Sequence, residues 1–200
     1  MPKVTEEHKA AMRTRIQDAA LACFARKGFA AASMADIVKE ADLSAGAVYL
    51  YYSSKSELMV AAGQRIMEER ITVLGDLDDT EAVPPPSVVF PRLLDAILDD
   101  TPFPSLVLQV WGEAARVPEF AAIAEKIFAE VQARFETYLA AYFHRTAGLD
   151  EMVAQARARE TSPAALAMVQ GGIVQTAVLG PAVRPRVTGS MAALLAELES

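Results

Sequence analysis

Apolar residues recur at intervals of three and four along most of the chain, and this spacing predicts helices throughout. From Met12 one stripe runs through Ile16, Ala19, Ala20, Cys23 and Phe24, and Gly28 ends it behind Arg26 and Lys27, where cations suit the helix dipole. The polar residues 1–11 before it are expected to fray. Ser33 then reads as an N-cap, Ile37, Val38 and Ala41 give the next helix an apolar face, and Asp42-Leu43 forms a turn. Ser44 caps a further helix over Ala45 to Tyr51, and Ser54-Lys55-Ser56-Glu57 reads as a capping box opening another, through Leu74.

An acidic, glycine-containing stretch from Gly75 to Glu81 and the run Pro84-Pro85-Pro86 form a linker. Beyond it, Ser87 to Asp99 and Ser105 to Arg116 are amphipathic, separated by Thr101-Pro102-Phe103-Pro104. From Glu119 the residues Phe120, Ile123, Ile127, Val131, Phe135, Tyr138 and Tyr142 step through a long central helix, and Gly148 closes the region. Asp150 to Glu160 is charged and reads as helix or loop. Ser162-Pro163 is expected to open a new helix, Ala164 to Leu179, closed by Gly180-Pro181. This helix is apolar nearly all round, and a last one spans Val187 to Glu199.

Two short helices joined by a tight turn are the helix-turn-helix arrangement, whose second helix can enter a DNA major groove. The fold expected is all-α: a three-helix helix-turn-helix domain over residues 1–56, then a larger helical ligand-binding and dimerisation domain over 57–200, with about nine helices in total. A helix with almost no polar face must be covered on every side. Leu166, Val169, Ile173, Val174 and Val178, with Met191, Leu194, Leu195 and Leu198, are therefore expected at a dimer interface. Completion of a monomer core is the other reading.

Residues 16–58 also carry an ordered set of features: Ala-Ala-x-x-x-Phe, Lys-Gly-Phe, Ala-Asp-Ile, Leu-Ser-x-Gly-x-Val-Tyr-x-Tyr-Tyr and Ser-Lys-x-x-Leu. By these the segment resembles the N-terminal DNA-binding domain of the TetR family of bacterial transcriptional regulators. The resemblance covers about a quarter of the chain by motif. It implies a homodimer on a palindromic double-stranded DNA operator, released by a small-molecule effector, with the last two helices in a four-helix dimer interface.

The net charge of −7 sits unevenly. Residues 1–56 hold eight bases against six acids, a balance of +2, which leaves −9 for the remainder. A mildly basic front and an acidic rear fit a front that alone meets phosphate. With 52% hydrophobic residues the chain can bury a sizeable core. No apolar run is expected to reach the roughly 18 residues that cross a bilayer. With a polar start in place of a signal peptide, the expected location is cytoplasmic, without a membrane partner. The single cysteine, Cys23, excludes an internal disulfide and lies on the buried stripe.

Recognition of DNA needs groups that hold phosphates and others that reach base edges. For phosphate the candidates are Arg13, Arg15, Ser33, Ser44, Tyr49 and Lys55, and the family resemblance implies the same role for Ser33, Ser44, Tyr49 and Lys55. For bases they are Ala45, Gly46, Ala47 and Leu50; at Ala45, Ala47 and Leu50 the family often carries polar residues, and the chain also has no asparagine for a bidentate adenine contact. Readout by close backbone approach, thymine-methyl contact and DNA shape is expected. Of Tyr49, Tyr51 and Tyr52, the last is expected to face the core.

In the rear, Met67, Phe103, Val107, Val110, Trp111, Phe120, Phe128 and Tyr138 are candidate walls of an apolar ligand pocket, with Gln109, Glu113, Arg116, Gln170 and Gln175 as polar contacts. The two histidines, His8 and His144, stand near no Ser or Cys with a third orienting group, so no catalytic residue, metal site or cofactor is expected. Two other readings are a regulator answering to a protein partner and an enzyme with its site in the rear.

Overall fold

A computed structural model of the chain describes residues 5–71, 82–99 and 103–199. Those residues form nine α-helices and no strand. They are α1 Glu6–Lys27, α2 Met34–Glu40, α3 Ala45–Tyr49, α4 Lys55–Ile71, α5 Pro86–Leu98, α6 Phe103–Ala114, α7 Pro118–Ala141, α8 Glu151–Leu179 and α9 Arg184–Glu197. The expected all-helical class holds. Of the linker, residues 75–81 lie outside the described residues.

Helix α3 ends at Tyr49 and α6 runs Phe103–Ala114, each about two residues from expectation, and three larger differences have a local reason. The first helix begins at Glu6, because the Thr5 side chain accepts from the His8 amide and Lys9 pairs with Glu6 at 2.8 Å. The last begins at Arg184, whose guanidinium binds Asp95 and Asp99 of α5, each at 2.6 Å. Between them, Asp150 to Leu179 is one structure: Asp150 caps it, and α8 runs 29 residues straight through Pro163. A proline costs a helix one amide donor, and here the Ser162 hydroxyl, fully buried, bonds Glu136 of α7 at the same turn.

The chain divides into two compact units. One comprises residues 1–67 with 109–123, the other 68–108 with 124–200. A boundary at residues 56 and 57 falls in the first turn of α4.

In the first unit, α1 packs on α2 and α2 on α3. Ile16, Ala20, Cys23 and Phe24 of α1 are buried, as are Ile37 of α2, Val48 of α3 and Leu58 and Ala62 of α4. Burial also pushes the Cys23 thiol up from its ordinary value, which suits a core residue. Residues 109–123 belong to this unit because Phe29 is held by both ends of that segment: its amide donates to Gln109 Oε1 at 2.7 Å and its ring meets Phe120 edge-on at 5.1 Å.

In the second unit, α5 lies against α8 and α9. Phe90 stacks edge-on with Phe135 and Tyr138 at 4.8 and 5.6 Å. Gly172 of α8 lets α5 come close, since a Cβ there would overlap Leu94 and stand 3.3 Å from Val187. After α7 a π-helical turn, Tyr142–Thr146, brings the Thr146 hydroxyl to Val83, where it accepts from the amide and donates to the carbonyl, both at 2.9 Å.

By length and composition alone, one described helix, α8, is long and apolar enough to cross a membrane, with a mean hydropathy of 1.3 over 18 residues of which 28% are buried. Its buried positions, Ala154, Ala158, Ala165, Val169, Gly172 and Ile173, account for part of that apolarity as protein core.

Candidate nucleic-acid interface

The helix-turn-helix is built from two serine caps and a clamped turn. Ser33 and Asp36 form a reciprocal capping box: Ser33 Oγ accepts from the Asp36 amide at 3.2 Å, and Asp36 Oδ2 accepts from the Ser33 amide at 3.0 Å. Asp36 also pairs with Lys27 of α1 at 2.6 Å. The Lys27 hydrogen bond, followed by the two from Ser33, holds the Asp36 carboxyl well below the usual carboxylate range.

The turn from α2 to α3 needs a left-handed residue, and Asp42 supplies it at φ 51°. Arg15 of α1 fixes that turn by donating to the carbonyls of Ala41 and Asp42 at 2.9 and 3.0 Å. Ser44 then caps α3, accepting from the Ala47 amide at 3.1 Å.

Helix α3 shows two faces. Val48 is fully buried, and beyond the C-cap Tyr52 is buried too, its hydroxyl accepting from Gln17 Nε2 at 2.7 Å. Ala45, Gly46, Tyr49 and Leu50 lie opposite and exposed, with Tyr49 at 53% and Leu50 at 79%. These four are two i, i+4 pairs, so they form one continuous outward face. Ala47 flanks it, half-buried.

The phosphate candidates separate once their partners are known. Lys55 is committed inward: its ammonium donates to the carbonyls of Phe29, Ala30 and Ala32 at 2.8, 3.0 and 3.0 Å and lies 4.6 Å from the Phe29 ring centre. An ammonium has three hydrogens, and all three are used. Lys55 is thus a latch between the start of α4 and the α1–α2 loop, in place of the phosphate role expected for it. Arg15 is likewise turned to the α2–α3 turn. Ser33 Oγ donates to Asp36 Oδ2, so its hydroxyl hydrogen is spent on the cap.

The second capping box also differs from expectation. Ser54 Oγ accepts from the Glu57 amide, but Glu57 reaches one residue further back, to the amide and hydroxyl of Ser53 at 2.7 and 2.8 Å.

Most other cations of this unit have acidic partners: Lys9 with Glu6, Arg26 with Glu40, Lys27 with Asp36, and Arg65 with Asp18. Among the described residues 5–67, Arg13 and Lys39 form no ion pair with an acid and, unlike Lys55, are not committed to carbonyls. Arg13 lies over the Tyr51 ring at 5.9 Å, and both residues reach solvent. Lys39, in the last turn of α2, joins Arg13 as a phosphate candidate that the sequence pattern did not mark.

Residues 16–62 match the sequence pattern described as bacterial regulatory proteins, tetR family. Over those residues the chain is similar to the TetR family. Among curated relatives, the HTH-type transcriptional regulator YfiR of Bacillus subtilis is 46% identical over 67 residues, which are 34% of this chain and 31% of that one. The HTH-type transcriptional repressor Rv1474c of Mycobacterium tuberculosis is 34% identical over 73 residues, 36% and 39% of the two chains. The chain thus spans about a third of the length of the curated relatives it matches.

Solved structures extend the likeness in fold along the chain. A TerR/AcrR-family regulator from Aquifex aeolicus superposes with a TM-score of 0.70 at 20% identity, covering 94% of this chain and 99% of that one. The regulator FadR from Bacillus subtilis, in complex with stearoyl-CoA, gives 0.67 at 15%, covering 90% and 97%.

The rear candidates fare differently from the TetR-like front. Tyr138 stacks on Phe90 and donates to the Pro84 carbonyl at 2.7 Å, within the second unit, while Phe120 packs on Phe29 and Gln109 binds the Phe29 amide within the first. The expected pocket residues are therefore not gathered in one unit. Val107 is buried; Val110, Trp111, Glu113, Phe128 and Gln170 are half-buried; Arg116 and Gln175 are exposed. The side chains of Met67 and Phe103 lie outside the described residues. His144 Nδ1 bonds the Leu149 carbonyl at 2.9 Å.

The expected interface set also divides. Val169, Ile173, Met191 and Leu195 are buried within the protomer and serve its own core, because α5 lies against both helices. Leu166 is half-buried, and Val174, Val178, Leu194 and Leu198 are exposed, along with Leu179 at the end of α8.

Proposed function

We propose that the chain is a DNA-binding transcriptional regulator that acts as a homodimer on a two-fold operator and leaves it when an apolar small molecule binds the rear. The observation that carries this is the Ser44-capped α3, with Val48 and Tyr52 buried behind it and Ala45, Gly46, Tyr49 and Leu50 presented outward. On this reading residues 1–56 are the DNA-binding module and 57–200 the effector and dimerisation module. Phosphate contacts come from Arg13, Lys39, Tyr49 and the Ser44 hydroxyl, groups that the internal hydrogen bonds and ion pairs leave accessible.

The exposed apolar residues of α8 and α9, Val174, Val178, Leu179, Leu194 and Leu198, support a second copy as the partner of that face. Two-fold pairing would set the recognition helices about one helical turn of DNA apart, roughly 34–36 Å. Release requires the effector to prefer a different spacing; affinity alone shifts nothing. The effector and repressor parts of the reading draw on relatives: Rv1474c is named a repressor, and FadR holds stearoyl-CoA.

Selection of bound fragments from genomic DNA, followed by gel shift, tests the reading. One or a few duplexes bearing an inverted repeat should be enriched; retention of no duplex over random DNA would overturn it.

A further inference from the structure

We infer that the outward face of α3 reads the C5-methyl groups of pyrimidines, and so accepts a 5-methylcytosine·guanine pair where the operator carries thymine·adenine. The inference rests on the DNA-binding reading above and deepens it to the chemistry recognised.

The face offers very little polar chemistry. Of Ala45, Gly46, Tyr49 and Leu50, only Tyr49 has a polar side-chain atom, and Leu50 is the most exposed large apolar residue described, at 79%. Base edges in the major groove are donors and acceptors, with one apolar group among them, the thymine methyl. Setting the Leu50 side chain against a donor or acceptor would strip that group of water and return nothing. Set against a methyl, it removes apolar surface from water on both partners.

Leu50 also stands one turn from Gly46, where a Cβ would meet nothing within 4 Å. The protein does not require glycine there, and the missing side chain leaves the backbone at Gly46 open to close approach by a groove, one turn from Leu50. Thymine and 5-methylcytosine hold their methyls at the same ring position and differ at the neighbouring one, a carbonyl oxygen against an amino group. Leu50 has no atom that distinguishes those two.

The test uses the full chain and the duplex enriched by selection. Each thymine of a half-site is replaced in turn by uracil, cytosine or 5-methylcytosine, with the complementary base opposite. At one thymine per half-site, uracil should weaken binding about three- to fivefold, the value of one buried methyl. Cytosine should weaken it at least as much, and 5-methylcytosine should restore it.

Leu50→Ala, which alters an exposed side chain, should bind thymine and uracil duplexes alike. If uracil is tolerated at every thymine, or 5-methylcytosine binds no better than cytosine, methyl reading is overturned while DNA binding stands. If selection enriches no duplex, the DNA-binding reading itself fails and takes this inference with it.

Discussion

Gln17 of α1 and Tyr52, just beyond α3, meet through a buried hydrogen bond of 2.7 Å from the amide nitrogen to the phenol oxygen. The bond ties the end of α3 to the longest helix of its unit from behind, 35 residues away in sequence. Burial raises the Tyr52 phenol above its ordinary pKa, so it stays neutral and keeps its partner at working pH. Tyr52→Phe should leave the Gln17 amide buried without an acceptor and cost about 1–3 kcal/mol, read by urea denaturation. Tyr51→Phe, on a half-buried ring, should cost much less. Equal losses would remove the bond from the account.

Lys55 should separate from Arg13 and Lys39 in salt titrations. Lys55→Met removes three hydrogen bonds and should lower stability by about 1–3 kcal/mol, yet leave the slope of log Kd against log salt unchanged. Arg13→Ala and Lys39→Ala should leave stability alone and reduce the slope by about 1 for each phosphate that is no longer neutralised. A flattened slope for Lys55→Met would return it to the phosphate set.

Acid should loosen the start of α2. The Asp36 carboxyl is depressed in the folded state, so as pH falls the unfolded chain takes up this proton first. Its contribution is full above the ordinary carboxylate pKa of about 4 and fades as pH drops toward the folded value. The difference in Tm between the wild type and Asp36→Asn should be constant near neutrality and shrink below about pH 4. A difference that persists in acid would mean the charge contributes nothing there.

Charge placed on the outward face of α8 and α9 should give folded monomers. Val178 is 66% and Leu194 59% exposed in the protomer, so Val178→Asp with Leu194→Asp should retain helical circular dichroism while halving the mass by light scattering. Leu195→Asp is expected to behave differently. That side chain is 1% exposed, and a buried unpaired carboxylate should unfold the second unit instead. A folded dimer surviving the double substitution would mean that another surface joins the copies.

Much of the first unit was legible from local chemistry. Ser33 and Ser44 cap where they stand because a cap needs only the amides two or three residues on, and Gly28 ends α1 because φ 77° suits glycine. The pattern of Ile16, Ala20 and Phe24 marked their buried face correctly. Local chemistry was less reliable at Pro163. A proline after serine favours a helix start, and the sequence within a few residues gave no sign that Glu136 of α7 would meet Ser162 and that the helix would continue.

Sequence by itself determined the helical class and the caps at Ser33 and Ser44, since these depend on neighbours within a turn or two. Tertiary structure alone decided which groups remain available. It committed Lys55 to three carbonyls more than twenty residues back and sent Leu195 inward while Leu194 stayed out. A periodicity of 3.6 says that a helix has an apolar face; only the packing of distant segments says what covers it, and a charge reads as free until the carbonyls that claim it are in place.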